Sequence, residues 1–168
     1  MALDSSNPAD AGKKLRLLAL TTPADKLGFA PDDEYPIVYG VVTDWNLDSQ
    51  TASIVAMRDG TASLYTTSSF GIVGGEVHDA VRKAAQEYVK VAGRYFEKSV
   101  PVYDYPYPEQ GKVNYFLLTY YGVRFCVGDV AGIDNGSDQT AALFEAAQKM
   151  LTALRLAAEP QGEENAKP

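Results

Sequence analysis

The sequence has 168 residues, a formal net charge of −7 and a pI near 4.7, with 46% hydrophobic and 22% charged residues. This length and composition predict one globular domain. The negative charge argues against nucleic acid and anionic membranes as partners, because both are bound through clustered Lys and Arg. The single cysteine, Cys126, has no partner for an internal disulfide, which is compatible with a reducing compartment.

Both ends of the chain are polar. We expect a flexible N-terminus over residues 1–14, a single domain over residues 15–158 and a disordered tail over residues 159–168. The leucines within residues 15–20 predict either a short strand or a packed arm, and periodicity leaves both open. Neither a signal peptide nor a stretch of roughly 20 apolar residues is present, which predicts a cytoplasmic protein.

Strand patterns dominate the first half of the chain. The apolar run over residues 37–43 predicts a strand covered on both faces, in which Gly40 permits a bulge or a close packing contact. Alternation over residues 51–57 predicts a second strand. Asp59-Gly60 favours a type I′ hairpin turn into a third strand over residues 61–67. The three strands would form an antiparallel meander.

The second half alternates between helices and strands. An apolar stripe predicts a helix over residues 76–98, and the prolines of residues 101–111 predict an extended connection. Residues 113–119 and 123–127 predict a hairpin, and a second amphipathic helix is predicted over residues 139–158. The fold class is therefore α+β, with a five- or six-stranded antiparallel sheet and two long amphipathic helices in the order β-β-β-α-β-β-α. The sixth strand depends on the leucine run.

A glycine-rich loop precedes the first predicted helix. Gly71, Gly74 and Gly75 resemble a phosphate cradle, because exposed N–H groups at a helix start bind anions. Their spacing fits neither common nucleotide-binding motif, and Glu76 and Asp79 bring carboxylates to the same place. The simpler interpretation is a sharp turn from strand to helix.

His78 is the single histidine of the chain, so a histidine general base would have to be this residue. Ser69 lies nearby, but the Gly-x-Ser-x-Gly elbow is absent, and a polar or capping role is the simpler interpretation. If the glycine-rich loop binds a ligand, His78 joins its glycines as a candidate contact. Cys126 lies in a predicted strand, where cysteine usually behaves as a small hydrophobe. No catalytic residue is assigned.

Carboxylates cluster in residues 32–34 and again in residues 129–138, where they could bind a hard cation. Neither cluster has the spacing of a calcium loop, and Asp is common in turns for other reasons. We therefore predict no metal and no cofactor.

Tyr103, Tyr105 and Tyr107 form the most distinctive pattern. In an extended segment alternate residues point the same way, so the three rings would share one side. Tyrosine favours binding surfaces because it offers a large contact area at low entropy cost. The alternative is that the rings cover an edge or end of the sheet. The three tyrosines are the candidate partner-binding residues.

The element order resembles the roadblock, longin and profilin-like group of small sheet-and-helix modules. The resemblance is carried by the hairpin from Asp59-Gly60 to Tyr65, by the glycine-rich loop with its helix, and by the hairpin over residues 113–127 with its helix. It implies a non-catalytic dimerising or scaffolding module, a kind often associated with small GTPases or motor complexes. It transfers no site residue.

The expected function is a non-enzymatic interaction, scaffolding or regulatory module that binds a protein partner or self-associates. Two alternatives belong to other functional classes of protein. One is a small-ligand or nucleotide sensor that binds between the sheet and the glycine-rich loop. The other is a hydrolase that uses Ser69 and His78.

Overall fold

The structure is a computed structural model that describes residues 8–68, 72–73 and 78–158. Within these residues, two 3-10 turns, Ala24–Leu27 and Phe96–Lys98, accompany the regular elements. In chain order these elements are α1 (Pro8–Thr21), β1 (Val38–Asn46), β2 (Thr51–Met57), β3 (Ala62–Thr66), β4 (Ile72–Val73), α2 (Asp79–Gly93), β5 (Val100–Pro101), β6 (Lys112–Thr119), β7 (Gly122–Asp129), α3 (Val130–Asp134) and α4 (Ala141–Ala158).

The described strands form one sheet in the order β4-β3-β2-β1-β6-β7-β5, and every neighbouring pair is antiparallel. This confirms the α+β class and the antiparallel sheet. The five longer strands lie where the sequence predicted them. The two others, β4 and β5, have only two residues each, which is too short for a recognisable pattern.

The molecule has three layers. Helices α2 and α4 pack together on one face of the sheet, which we call the inner face. Helix α1 and the extended segment of residues 102–108 cover the opposite, outer face. Because successive strand residues point to opposite faces, each long strand contributes to both cores. The central strands β1 and β6 are consequently buried along nearly their whole length.

The N-terminal expectation is corrected by α1. Residues 8–14 begin this helix, and the leucine run that was expected to be a strand or an arm completes it. The buried residues follow helical spacing at Gly12, Arg16 and Leu20, while Leu17 and Leu18 are exposed. A buried stripe that contains glycine and arginine does not register as hydrophobic periodicity. Residues 1–7 and 159–168 lie outside the described residues.

Glycines shape β1 and the hairpin between β2 and β3. The register between β1 and β6 shifts between Val38 and Gly40, and a Cβ on Gly40 would lie 2.6 Å from the Met57 sulfur, so both predicted roles of this glycine are present. The type I′ prediction for Asp59-Gly60 was wrong, because Gly60 has a positive φ of 94° and Asp59 does not. The loop has three residues, and Gly60 is its left-handed position.

Both predicted long helices are present with shorter bounds. Helix α2 ends at Gly93, so the last predicted turn is a 3-10 turn, and α4 begins two residues after the predicted start. The hydroxyl groups of Tyr88 on α2 and Thr43 on β1 are hydrogen-bonded to each other in the inner core. Among the described helices, none combines the length and the apolar character needed to cross a bilayer.

Candidate functional site

The extended segment of residues 102–108 is fixed to the outer face of the sheet. Val102 N–H donates to Val123 O at 3.1 Å, which continues the pairing of β5 with β7. Farther along, side chains of α1, β1 and β6 hold its carbonyl groups. These bonds run from Arg16 Nη2 to Tyr105 O (2.9 Å), from Asn114 Nδ2 to Pro106 O (3.1 Å) and from Asn46 Nδ2 to Pro108 O (3.0 Å). The segment is therefore held along its length.

A buried ion pair lies beneath this segment. Arg16 donates to Asp44 Oδ2 from Nε at 2.9 Å and from Nη2 at 2.6 Å, and Ser53 Oγ donates to Asp44 Oδ1 at 2.6 Å. Arg16 is 5% exposed and Asp44 is fully buried. Burial raises the pKa of the Asp44 carboxyl, while hydrogen bonds from Arg16 and Ser53 and the Arg16 charge oppose that rise. The pair joins α1, β1 and the extended segment at one point.

The three candidate tyrosines do not form one platform. Tyr103 is 91% exposed. Tyr105 is half-buried and packs edge-on against Phe116, with ring centroids 5.8 Å apart. Tyr107 lies over the Arg16 guanidinium, whose central carbon is 4.1 Å from the ring centroid. One ring is thus free of the core, and the other two help to hold the segment in place.

Tyr103 and Tyr105 line a groove of about 390 Å³ on the outer face. The groove lies between the C-terminal end of α1, the start of the extended segment and the tip of the β6–β7 hairpin. Tyr121, at that tip, is 78% exposed. The aromatic residues that line the groove are Tyr39, Phe96, Tyr103, Tyr105, Tyr120 and Tyr121. Tyr107 is not among its lining residues.

Ring packing and hydrogen bonds hold the side chains of the groove floor. The rings of Tyr39 and Tyr120 are 5.4 Å apart between centroids, and Tyr39 OH donates to Thr22 O at 3.2 Å. Tyr120 OH donates to Tyr35 O at 3.0 Å and also lies 2.7 Å from Arg58 Nη1, which donates to it. Burial raises the pKa of Tyr39 to about 12, so its hydroxyl is neutral at physiological pH.

A second cavity of about 330 Å³ lies beside the β7 edge, near the start of α4. Cys126 lines it, and burial, followed by the charge of Asp138, raises the pKa of its thiol to about 12. A thiol with this pKa is almost fully protonated at neutral pH and therefore a weak nucleophile. Cys126 also packs against the inner core, as the sequence predicted.

The candidate residues of the glycine-rich loop and of the hydrolase hypothesis are described only at His78. Gly71, Gly74 and Gly75 lie outside the described residues, and so does Ser69. His78 is exposed at the N-cap position of α2 and makes no side-chain capping bond there. A ligand site at this loop and a hydrolase using His78 stay predictions.

The carboxylate clusters have structural contacts. Asp32 accepts from the N–H groups of Glu34 and Tyr35 and pairs with Arg58, while Asp138 caps the turn before α4. Among residues 8–68 and 78–158, no three metal-ligating side chains come together around one point.

Sequence reasoning did not single out Arg16 and Asp44, whose buried ion pair joins α1, β1 and the extended segment. Arg16 lies between leucines, and nothing in the sequence links it to Asp44 across 28 positions. Tyr120 and Tyr121 are turn residues whose place beside Tyr103 follows from the sheet order.

Comparison with protein-family models, with curated proteins and with solved structures returned no match.

Proposed function

We propose that the protein is a non-enzymatic interaction module, acting as a scaffold or regulatory subunit, whose partner binds in the groove on the outer face. The observation that carries this proposal is the pair of exposed tyrosines on its rims. Tyr103 is 91% exposed and Tyr121 is 78% exposed. The Val102 N–H next to Tyr103 donates to Val123 O, and the Tyr121 N–H donates to Thr119 Oγ1. Rigid, exposed tyrosines bind protein surfaces at a small entropy cost.

Contacts within the fold account for Tyr105, which packs on Phe116, and for Tyr107, which lies over Arg16, but not for Tyr103. A ring that is almost fully exposed contributes little to the stability of the fold, because it buries little apolar surface. The extended segment nevertheless holds this ring beside a groove whose volume lies in the range of about 300–1,000 Å³ usual for binding pockets. A binding role is consistent with both features.

Self-association is included in this proposal, because a second copy of the chain is one class of protein partner. A cytoplasmic location is also part of this proposal and rests on the sequence patterns alone.

The test uses p-benzoylphenylalanine at position 103 for site-specific photo-crosslinking in the cells that make the protein. We expect a discrete adduct that is lost when Tyr121→Ala is added and that does not form from position 156, an exposed leucine on α4 across the sheet. An adduct containing a second copy of the chain would assign the groove to self-association. Equal labelling from positions 103 and 156, or none from either, would contradict the proposal.

The corresponding substitution is Tyr103→Ala. It should weaken partner binding and leave the melting temperature within about 2 °C of the wild type, since a surface change typically alters stability by less than about 0.5 kcal/mol. Tyr105→Ala is the less clear probe, because it also removes the ring that packs on Phe116. A large stability loss in Tyr103→Ala would favour a packing role instead.

A further inference from the structure

The described residues that line the groove on the outer face number 17, and one of them, Arg124 on β7, has a charged side chain. The protein as a whole carries a net charge of −7. Among the described lining residues the charge is therefore positive, whereas the molecule as a whole is negative. Charge complementarity in such a site favours an anionic group on the partner.

Arg124 is held in place by contacts that leave it without an acidic partner. Its Nε donates to Ser99 Oγ at 2.9 Å, and its Nη2 donates to Ser99 O. Its guanidinium carbon lies 4.4 Å from the centroid of Phe96, another residue of the groove lining. The ion pairs formed among the described residues do not include Arg124.

These contacts use only part of its hydrogen-bonding capacity. A guanidinium has five N–H donors, and the bonds to Ser99 come from Nε and Nη2, so within the described part of the chain Nη1 donates no hydrogen bond. A fixed guanidinium with a free edge is suited to a carboxylate, which can accept two parallel hydrogen bonds. Because folding already orders the Arg124 side chain, binding of a ligand costs less conformational entropy.

We propose that the groove binds an extended peptide segment in which a carboxylate pairs with Arg124 and an adjacent proline or aromatic side chain packs against Tyr103 and Tyr121. The carboxylate belongs to Asp, Glu or the C-terminus of the partner. Aromatic-lined grooves are a recurrent way of binding proline-containing extended peptides. This inference rests on the proposed function, and it adds the chemical class of the partner segment.

The test begins with selection of random dodecapeptides displayed on phage against the full-length protein. Selected peptides are then synthesised with the acid and with the corresponding amide, and binding is measured by fluorescence polarisation. The protein variants are Arg124→Gln, Tyr103→Ala and the control Arg155→Gln, which removes the same charge from the exposed surface of α4.

We expect the selected peptides to share an acidic residue next to proline or an aromatic residue. Changing the acid to its amide should weaken binding at least about tenfold, as should Arg124→Gln, and the two changes together should cost little more than either alone. Arg155→Gln should bind like the wild type. The acid-to-amide change leaves the protein unaltered, so it tests the need for a carboxylate even if Arg124→Gln folds poorly.

Three outcomes would overturn the inference, and they separate it from the proposed function. If the selected peptides depend on Tyr103 but bind equally well as acid and as amide, the pairing of a carboxylate with Arg124 is wrong, while the groove remains a protein-binding site. Failure to select any peptide that depends on Tyr103 would count against both. Saturable binding of benzoate alone, with no selected peptide, would show a site for small carboxylates in place of a peptide.

Discussion

Asp138 shows how a single carboxylate can join two elements. Its Oδ2 accepts from the N–H of Asp129 at the end of β7, at 2.9 Å, and its Oδ1 accepts from the N–H and hydroxyl of Thr140 before α4, at 2.7 and 2.6 Å. Burial acts to raise its pKa, but the bonds from Thr140 and Asp129 and the charge of Lys112 outweigh it, so the pKa is lowered. The charged form is thus the one that the folded protein stabilises.

Asp138→Asn should lower the free energy of unfolding by about 1–2 kcal/mol at pH 7, because an amide N–H₂ cannot accept one of the bonds that the carboxylate accepts. A lowered folded-state pKa gives stability that is present above the unfolded pKa, near 3.8, and lost as pH falls through the folded pKa. The difference between wild type and variant should therefore shrink below about pH 3.8. Urea unfolding at pH 7 and pH 3 measures it, and a difference that does not change with pH would refute this role of the charge.

At the scale of elements, α1 is attached to the sheet through a polar centre as well as through apolar side chains. The Arg16–Asp44 pair lies in the middle of its buried side, with Leu20 near its end, and Tyr107 covers the guanidinium from the extended segment. Loss of one partner would leave the other charge buried and unpaired. A buried pair of this kind is costly to break singly, while its joint replacement by apolar residues is often tolerated.

Arg16→Met and Asp44→Leu should each lower the free energy of unfolding by about 3–5 kcal/mol, and the double variant should lose much less than the sum of the two. Chemical denaturation of the four proteins gives the coupling energy directly. A control is Lys13→Met, which alters an exposed lysine on the same helix and should be close to neutral. Additive losses in the double variant would show that the two side chains act independently.

The sequence predicted those elements whose patterns are local. Strands β1, β2 and β6 alternate or run through β-branched and aromatic residues, and both long helices carry apolar stripes, so their positions followed from periodicity. Helix α1 was missed because its buried stripe contains Gly12 and Arg16. Arg16 can be recognised as a buried residue of this helix only when Asp44 is known to lie opposite it.

The groove was predictable only in part. Tyr103 and Tyr105 stood out in the sequence because of their spacing, and both line it. Its other walls come from α1 and from the β6–β7 hairpin, which the sheet order brings beside the extended segment. Alternation in an extended segment placed Tyr107 on the same side as Tyr103 and Tyr105, but its ring lies over Arg16 and not in the groove. Long-range contacts of this kind have no signature in a single sequence.

At the scale of the whole molecule, one sheet separates two apolar cores that are covered in different ways. The inner core is closed by two long helices that pack on each other, and α2 and α4 bury Tyr88, Leu143, Met150 and Leu154 completely. The outer core is closed by α1, by the extended segment and by their polar contacts. Opening of the outer layer would expose Phe116 and Tyr39 while leaving the inner core assembled.

This asymmetry predicts two levels of stability in native-state hydrogen exchange. Amides of β1 and β6 lie at the centre of the sheet and should exchange only through global unfolding, whereas amides of α1 should exchange through a local opening at least about 2 kcal/mol lower in free energy. Exchange measured by mass spectrometry at increasing low urea distinguishes the two, because a local opening exposes little surface and depends weakly on denaturant. Helix α2, which lies in the inner layer, is the internal control and should follow β1. If α1 exchanged at the global free energy, the two cores would unfold as one unit, and binding in the outer groove would then have to stabilise the entire protein.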